Sequence, residues 1–156
     1  MKLTFVSVSN KLPPWLGEVL ENYKKKISYW LPVEINILKP VSLDRGAQDK
    51  KKKAESALIL KSLKADDFVI ACDEKGREFN SKEFSKRLEG ILNAGKKRIV
   101  IIIGGAYGLE VDVLNRADLK LSLSAFTLNH HVALAMICEQ TYRAMTILKG
   151  IKYHND

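Results

Sequence analysis

The stretch that decides the fold is Ile99-Val100-Ile101-Ile102-Ile103-Gly104-Gly105-Ala106-Tyr107-Gly108. Five consecutive β-branched residues are typical of a strand buried on both faces, as at the centre of a parallel sheet. A glycine loop that directly follows such a strand lies at the carboxyl end of the sheet, where open α/β folds bind ligands. The loop fits neither GxGxxG nor the P-loop pattern, and a tight turn needs glycine for its own sake. The stretch predicts an α/β fold with a candidate ligand site at this loop.

Strand and helix patterns alternate along the rest of the chain, which predicts an open, parallel-type sheet flanked by helices. The predicted strands are Lys2–Ser9, Val33 to Pro40, Phe68–Cys72, Ile99–Ile103 and Leu119–Leu123. The predicted helices begin at Pro13-Pro14, Asp49, Asn80 (with Glu83 in a capping box), Val111 and His130. A turn is predicted at Asp73-Glu74-Lys75-Gly76.

The composition bounds the class of protein. The chain has 156 residues, 46% of them hydrophobic and 28% charged, which predicts one globular domain over residues 1–156 and argues against disorder. The start lacks a signal-peptide pattern and no apolar run approaches the roughly 20 residues of a membrane helix, so we expect a soluble, cytoplasmic protein with no membrane partner. Cys72 and Cys138 show no metal-ligand spacing, and we expect no metal.

The charge of the chain favours a polyanionic partner. Lys and Arg total 26 against 18 Asp and Glu, a formal net charge of +8. The basic residues cluster at Lys24–Lys26, Lys50–Lys53, Lys61 with Lys64, and Lys96–Arg98. Such clusters suit sequence-independent contact with phosphates or a membrane surface, although any single run is equally well explained as a solvated helix face.

A second loop and the last helix carry the other candidate features. The small and apolar residues Leu121–Asn129 follow a strand that we expect beside the central one, so that two loops would sandwich a flat heterocycle. His130 stands at a helix N-terminus, where the dipole favours its neutral form. The helix segment Val132–Cys138 is apolar on every face, which predicts burial in a homodimer or within the monomer. Arg143 either pairs with Glu139 or faces an anion.

Several motifs occur together and in a fixed order. They are Ile102–Leu109, Leu121–Ser124, Thr127-Leu128, Glu139–Ala144 and Tyr153-His154. Together they resemble the RlmH family of SPOUT-class ribosomal RNA methyltransferases, and the resemblance covers the whole chain. It implies a C-terminal trefoil knot (the α/β-knot), S-adenosyl-L-methionine as cofactor, an obligate homodimer, and methyl transfer to N3 of a pseudouridine of 23S rRNA in the ribosome.

The resemblance also implies roles for individual residues. Those implied to hold the cofactor are Cys72, Gly104, Gly105, Leu123, Ser124, Ala125, Phe126, Thr127 and Leu128. Those implied to act in catalysis are His130, Tyr153 and His154. One of the two histidines would accept the N3 proton or fix the base, and the tyrosine would stack on or hydrogen-bond to it.

The chain departs from the family pattern at four positions. Cys72 replaces an aliphatic residue, Asn129 a proline, Leu134 an arginine and Asn155 a basic residue. We expect the reduced positive charge to affect the affinity for RNA more than the binding of the cofactor. Two alternatives to an enzyme therefore stay open: a non-catalytic RNA- or nucleotide-binding dimer of the same fold, and a flavodoxin-like regulator.

Overall fold

Strands and helices alternate from one end of the chain to the other. The computed structural model describes residues 1–40, 42 and 45–155; Val41, Leu43, Asp44 and Asp156 of the predicted single domain lie outside them. The strands are β1 (Lys2–Val8), β2 (Val33–Leu38), β3 (Phe68–Glu78), β4 (Arg98–Ile103) and β5 (Leu119–Ser122). The helices are α1 (Pro14–Ile27), α2 (Gln48–Ser62), α3 (Ser81–Asn93), α4 (Val111–Arg116) and α5 (His130–Leu148).

The sheet is parallel throughout and has the order β2-β1-β4-β3-β5, so β4 is central as its β-branched sequence predicts. Its side chains alternate between two cores. Ile99, Ile101 and Ile103 pack on the side of α1, α3 and α5. Val100 and Ile102 pack on the side of α2 and α4. The predicted α/β class is confirmed, while the knot and the single-domain organisation stay predictions.

β3 runs further than the sequence predicts. The segment Asp73–Gly76 is extended rather than a turn, and β3 reaches Glu78 with a register shift between Cys72 and Arg77 against β5. A Cβ on Gly76 would lie 2.6 Å from the carbonyl carbon of Leu121. This glycine therefore permits a close crossing of two backbones, and the predicted turn is wrong because that crossing, rather than a reversal, requires it.

Helices α1 and α3 begin where the sequence predicts. α1 begins at Pro14 directly after Pro13. The Asn80 side chain accepts from the Glu83 N–H and the Glu83 side chain accepts from the Asn80 N–H, both at 2.9 Å, which is the predicted capping box. Within the described part of the chain, none of the helices has the length and apolar character needed to cross a membrane.

Candidate functional site

A cavity of about 610 Å³ lies at the carboxyl end of β4, beside the middle of β3 (Cys72–Lys75) and the segment that follows β5. The strand β3 separates β4 from β5, so the two predicted loops do not follow neighbouring strands, but both still reach the cavity. The lining comprises Lys52, Cys72, Asp73, Glu74, Lys75, Ile103, Gly104, Gly105, Ala106, Tyr107, Gly108, Leu109, Glu110, Val111, Leu114, Leu123, Ser124, Phe126, Thr127, Leu128, His130 and Ala133.

The structure brings most of the predicted site residues together here. Of the nine residues that the sequence implies for cofactor binding, the lining includes eight, and Ala125 is exposed outside it. His130 lines the cavity as well, whereas Tyr153 and His154 do not. The assignment of these residues to a cofactor stays a prediction.

The glycine loop closes on itself. The Gly108 N–H donates to the Gly105 carbonyl at 3.1 Å, and Gly108 has a φ of +78°. A Cβ on Gly104 would lie 2.9 Å from the carbonyl carbon of Gly108. The tight turn therefore requires glycine at 104 and favours it at 108, whether or not a ligand binds.

Gly105 meets a buried acid of α2. A Cβ at this position would lie 3.1 Å from Cδ of Glu55 and nearer still to its Oε2. Glu55 is 8% exposed, and its Oε2 has no hydrogen-bond partner among the described residues. Burial raises the pKa of this carboxyl, and the charge of Lys51 opposes that rise. The space left by the missing side chain at Gly105 is therefore filled by the Glu55 carboxyl group and does not enlarge the cavity. No sequence pattern indicates this contact.

The segment after β5 forms the opposite wall. The Ser122 hydroxyl donates to the Ser124 carbonyl at 3.2 Å, and the Phe126 N–H donates to the Ser124 hydroxyl oxygen at 2.9 Å. These bonds fix the bend locally, as small hydroxyl side chains do in turns. Phe126 is 83% exposed at the mouth of the cavity.

The rim of the cavity carries charges that the motifs did not single out. Lys52 of α2 lies 3.9 Å from Glu110 at the start of α4. Three carboxylates (Asp73, Glu74, Glu110) face two lysines (Lys52, Lys75), a net charge of −1 beside neutral His130. Asp73 and Glu74 directly follow Cys72 in the sequence, and this acidic pair beside a predicted cofactor residue is the signal that indicates a charged wall.

Cys72 is a neutral part of the wall. Burial, and then the charge of Asp73, raises the pKa of its thiol to about 12. The thiol stays protonated at neutral pH and serves as a small apolar surface. Across residues 1–40, 42 and 45–155, no cluster of three or more His, Cys, Asp or Glu is arranged to hold a metal ion.

His130 opens α5 at the cavity. Burial, and then the charge of the neighbouring His131, lowers the pKa of its imidazole, whose ring centroid lies 4.1 Å from that of His131. Its predicted neutral form thus has a further cause besides the helix dipole. His131 is held by Ser9, with Nε2 and Oγ 3.0 Å apart.

Two departures from the family pattern have structural roles in this chain. Asn129 caps α5, since its Oδ1 accepts from the His131 N–H at 2.9 Å. Leu134 is 1% exposed and packs in the core. The residues that replace proline and arginine therefore stabilise the start of α5. Asn155, in contrast, is exposed.

The tail folds back onto the middle of α5. Arg143 Nε donates to Glu139 Oε1 at 3.0 Å, the predicted ion pair one helical turn apart. Tyr153 donates its hydroxyl proton to the same oxygen at 3.1 Å. Burial, then hydrogen bonds with Tyr23 and Glu139, raise the pKa of Tyr153. Arg143 Nη1 lies 3.3 Å from His154 Nδ1, so the tail is anchored rather than frayed.

Comparison with known proteins agrees with this architecture. Residues 1–154 match the family described as "Predicted SPOUT methyltransferase". The chain belongs to the SPOUT methyltransferase family.

The relatives match the chain along its length. It is 47% identical over 155 residues to "Ribosomal RNA large subunit methyltransferase H" of Bdellovibrio bacteriovorus, covering 99% of each chain. It is 33% identical over 157 residues to the protein of that name from Parabacteroides distasonis, covering 100% of each. A probable methylase family protein from Haemophilus influenzae shares the fold, with a TM-score of 0.54 and 17% identity over 99% of this chain and 70% of that one.

Proposed function

We propose that the protein transfers a methyl group from S-adenosylmethionine to large-subunit ribosomal RNA in the cytoplasm, at N3 of a pseudouridine. The observation that supports this most is the convergence of two loops on one cavity with His130 at its edge. Full-length similarity to proteins named for large-subunit rRNA methylation gives the substrate class.

The cavity suits S-adenosylmethionine in its charge and in its mixture of polar and apolar surface. The cofactor carries a sulfonium, an ammonium and a carboxylate, a net charge of +1, against the net charge of −1 of the lining. Leu109, Leu114 and Leu128 offer apolar surface for the adenine, and Lys52 offers a cation for the carboxylate. The glycine loop also lines the cavity, so its backbone groups are available to the cofactor.

The residues of the chain act mainly by positioning. When bound, S-adenosylmethionine supplies an electrophilic methyl group on its sulfonium. The glycine loop and Leu123–Leu128 would hold the donor, and an accurate in-line approach of the ring nitrogen would account for much of the rate. Leu109, Leu114 and Leu128 would shield part of the donor from water.

His130 is our proposed proton acceptor. Its lowered pKa leaves a ring nitrogen unprotonated at neutral pH. N3 of the base must lose its proton as the new bond to carbon forms, and a neutral imidazole at the cavity edge accepts it.

We propose that Tyr153 and His154 of the tail act at the site of a second copy of the chain in a homodimer. Glu139 and Arg143, which hold Tyr153 and His154, lie 9 and 13 residues from His130 along α5, about 14 and 20 Å at the helical rise. One chain therefore does not bring the tail and its own His130 to the same atom. Within the monomer α5 buries Leu134, Ile137 and Cys138 but leaves Val132 46% exposed and Met136 partly exposed. We propose that this remaining face pairs with a second copy, whose tail then completes the site.

A calorimetric titration with S-adenosylmethionine tests the cofactor site. Leu123→Gln places a polar group in the cavity wall, and Leu148→Gln is its matched control because both leucines are partly buried against the same core cluster. We expect the first substitution alone to weaken binding at least tenfold. Equal binding by both variants, or none by the unaltered protein, would exclude this cavity.

A further inference from the structure

Four aromatic rings form a row from the end of α1 to the tail. Tyr29 meets Trp30 edge to face with centroids 5.9 Å apart, and Trp30 stacks on Tyr142 at 5.8 Å. Tyr142 contacts Tyr153 at 4.8 Å. The outermost ring, that of Tyr29, is 85% exposed. An exposed tyrosine supported by another ring has few rotamers to lose and offers a ready stacking surface.

One lysine, Lys26, contacts this row, and two more lysines precede it in the same helical turn. Lys24, Lys25 and Lys26 form the last turn of α1. Nζ of Lys26 lies 5.4 Å from the ring centroid of Tyr23 and 5.3 Å from that of Tyr142. Glu21 lies 4.0 Å from Lys24, so three lysines and one acid leave a net charge of +2. The helix dipole accounts for basic residues at this end but not for an exposed aromatic ring.

We propose that the α1-end surface, defined as Lys24–Trp30, binds a single-stranded segment of the substrate RNA. The lysines contact phosphates and one base stacks on Tyr29, which is the combination that proteins use to hold single strands without reading their sequence. The inference rests on the proposed function for its partner. The row of rings ends at Tyr153, so the held segment flanks the nucleotide to be methylated.

Charge selects RNA over a second copy of the chain as the occupant. A two-fold contact centred on this surface would bring Lys24–Lys26 of both copies close to the axis. Like charges brought together in this way oppose association. A phosphate backbone instead gains from each lysine and releases its counterions.

Fluorescence anisotropy with a labelled 12-nucleotide oligouridylate tests this surface on the full chain. Tyr29→Ala should weaken binding roughly 5- to 150-fold, as loss of one base–aromatic stack does elsewhere. Tyr29→Phe should bind normally because it keeps the ring. Trp15→Ala is the matched control, since Trp15 is a 47% exposed aromatic at the other end of α1. Replacing all three lysines by glutamine should lower the salt slope by about 0.7 for each phosphate that a lysine neutralised.

Parallel measurements keep the outcomes distinct. Cofactor binding should be the same for Tyr29→Ala and the unaltered protein, so a failure of the proposed function appears there and not in RNA binding. Unchanged oligouridylate affinity of Tyr29→Ala overturns the proposal, as does equal weakening by Trp15→Ala. A shift from dimer to monomer in light scattering of Tyr29→Ala also overturns it, because the surface is then an interface between copies.

Discussion

Gly105→Ala tests whether the glycine loop is shaped by Glu55. The φ of Gly105 is not positive, so alanine fits its backbone, but the new Cβ would lie 3.1 Å from Cδ of Glu55 and 3.2 Å from Oε1. Both distances are shorter than ordinary van der Waals contact, and Oε2 is closer still. The carboxylate must move within a buried space.

The expected magnitude follows from two opposing effects. Overpacking costs about 1–3 kcal/mol, and the stiffer unfolded chain returns about 0.4–1 kcal/mol. The net loss is about 0–2.6 kcal/mol, or a fall in Tm of at most roughly 10 °C for a chain of this length. In a Glu55→Ala background the clash disappears, so the same substitution should become neutral or stabilising.

Thermal or urea unfolding of the two single variants and the double variant measures this coupling. We expect a coupling free energy of at least about 1 kcal/mol. Gly90→Ala is the matched control: Gly90 lies within α3 with no atom near its missing Cβ, and alanine there should stabilise by about 0.5–1 kcal/mol. Additive effects at 105 and 55 would refute the clash.

Four further predictions concern the dimer, the tail, RNA contact and acid stability. Met136→Glu should convert a dimer to a monomer in light scattering, because it places a charge on the unpaired face of α5. Deleting residues 153–156 should abolish methyl transfer but leave calorimetric cofactor binding unchanged, since the tail lies outside the cavity. Replacing Lys50, Lys51 and Lys53 with serine, while keeping Lys52 because it lines the cavity, should weaken ribosome binding and flatten its salt dependence, as read from binding isotherms at several salt concentrations. Burial tends to raise the pKa of Asp67, but hydrogen bonds from Arg98 and from the Lys64 N–H, together with the charges of Arg98 and Arg116, outweigh burial and lower it. The stabilisation is complete above the ordinary aspartate pKa of about 3.9 and is lost as the pH falls through the lower folded value. Asp67→Asn should therefore lower the free energy of unfolding at neutral pH and flatten its acid branch, and an unchanged acid branch would contradict this.

The sequence predicted features that depend on neighbours along the chain. The β-branched run of β4 predicted the sheet centre because burial on both faces admits few other residues. The Asn80–Glu83 spacing predicted a capping box because both partners lie within one turn. The family motifs predicted which loops face the cavity. The spacing of residues alone did not decide this.

Contacts between distant residues were beyond such patterns. The close crossing of Gly76 over Leu121 joins two segments 45 residues apart, and the local sequence at Gly76 predicts a turn instead. The approach of Glu55 to Gly105 joins α2 to the central loop in the same way. The sequence does not predict the hydrogen bond from Tyr153 to Glu139, because no local motif links a tail to the middle of a helix.

Mass spectrometry of the product tests the methylation of large-subunit RNA directly. Ribosomes from cells that lack the corresponding gene are incubated with the purified protein and isotopically labelled S-adenosylmethionine, and nucleosides of the large-subunit RNA are then analysed. We predict one labelled methyl group on N3 of a pseudouridine, and none with the Leu123→Gln variant at limiting cofactor. A protein that binds the cofactor and the ribosome but leaves the RNA unlabelled would contradict the account and identify a binding module.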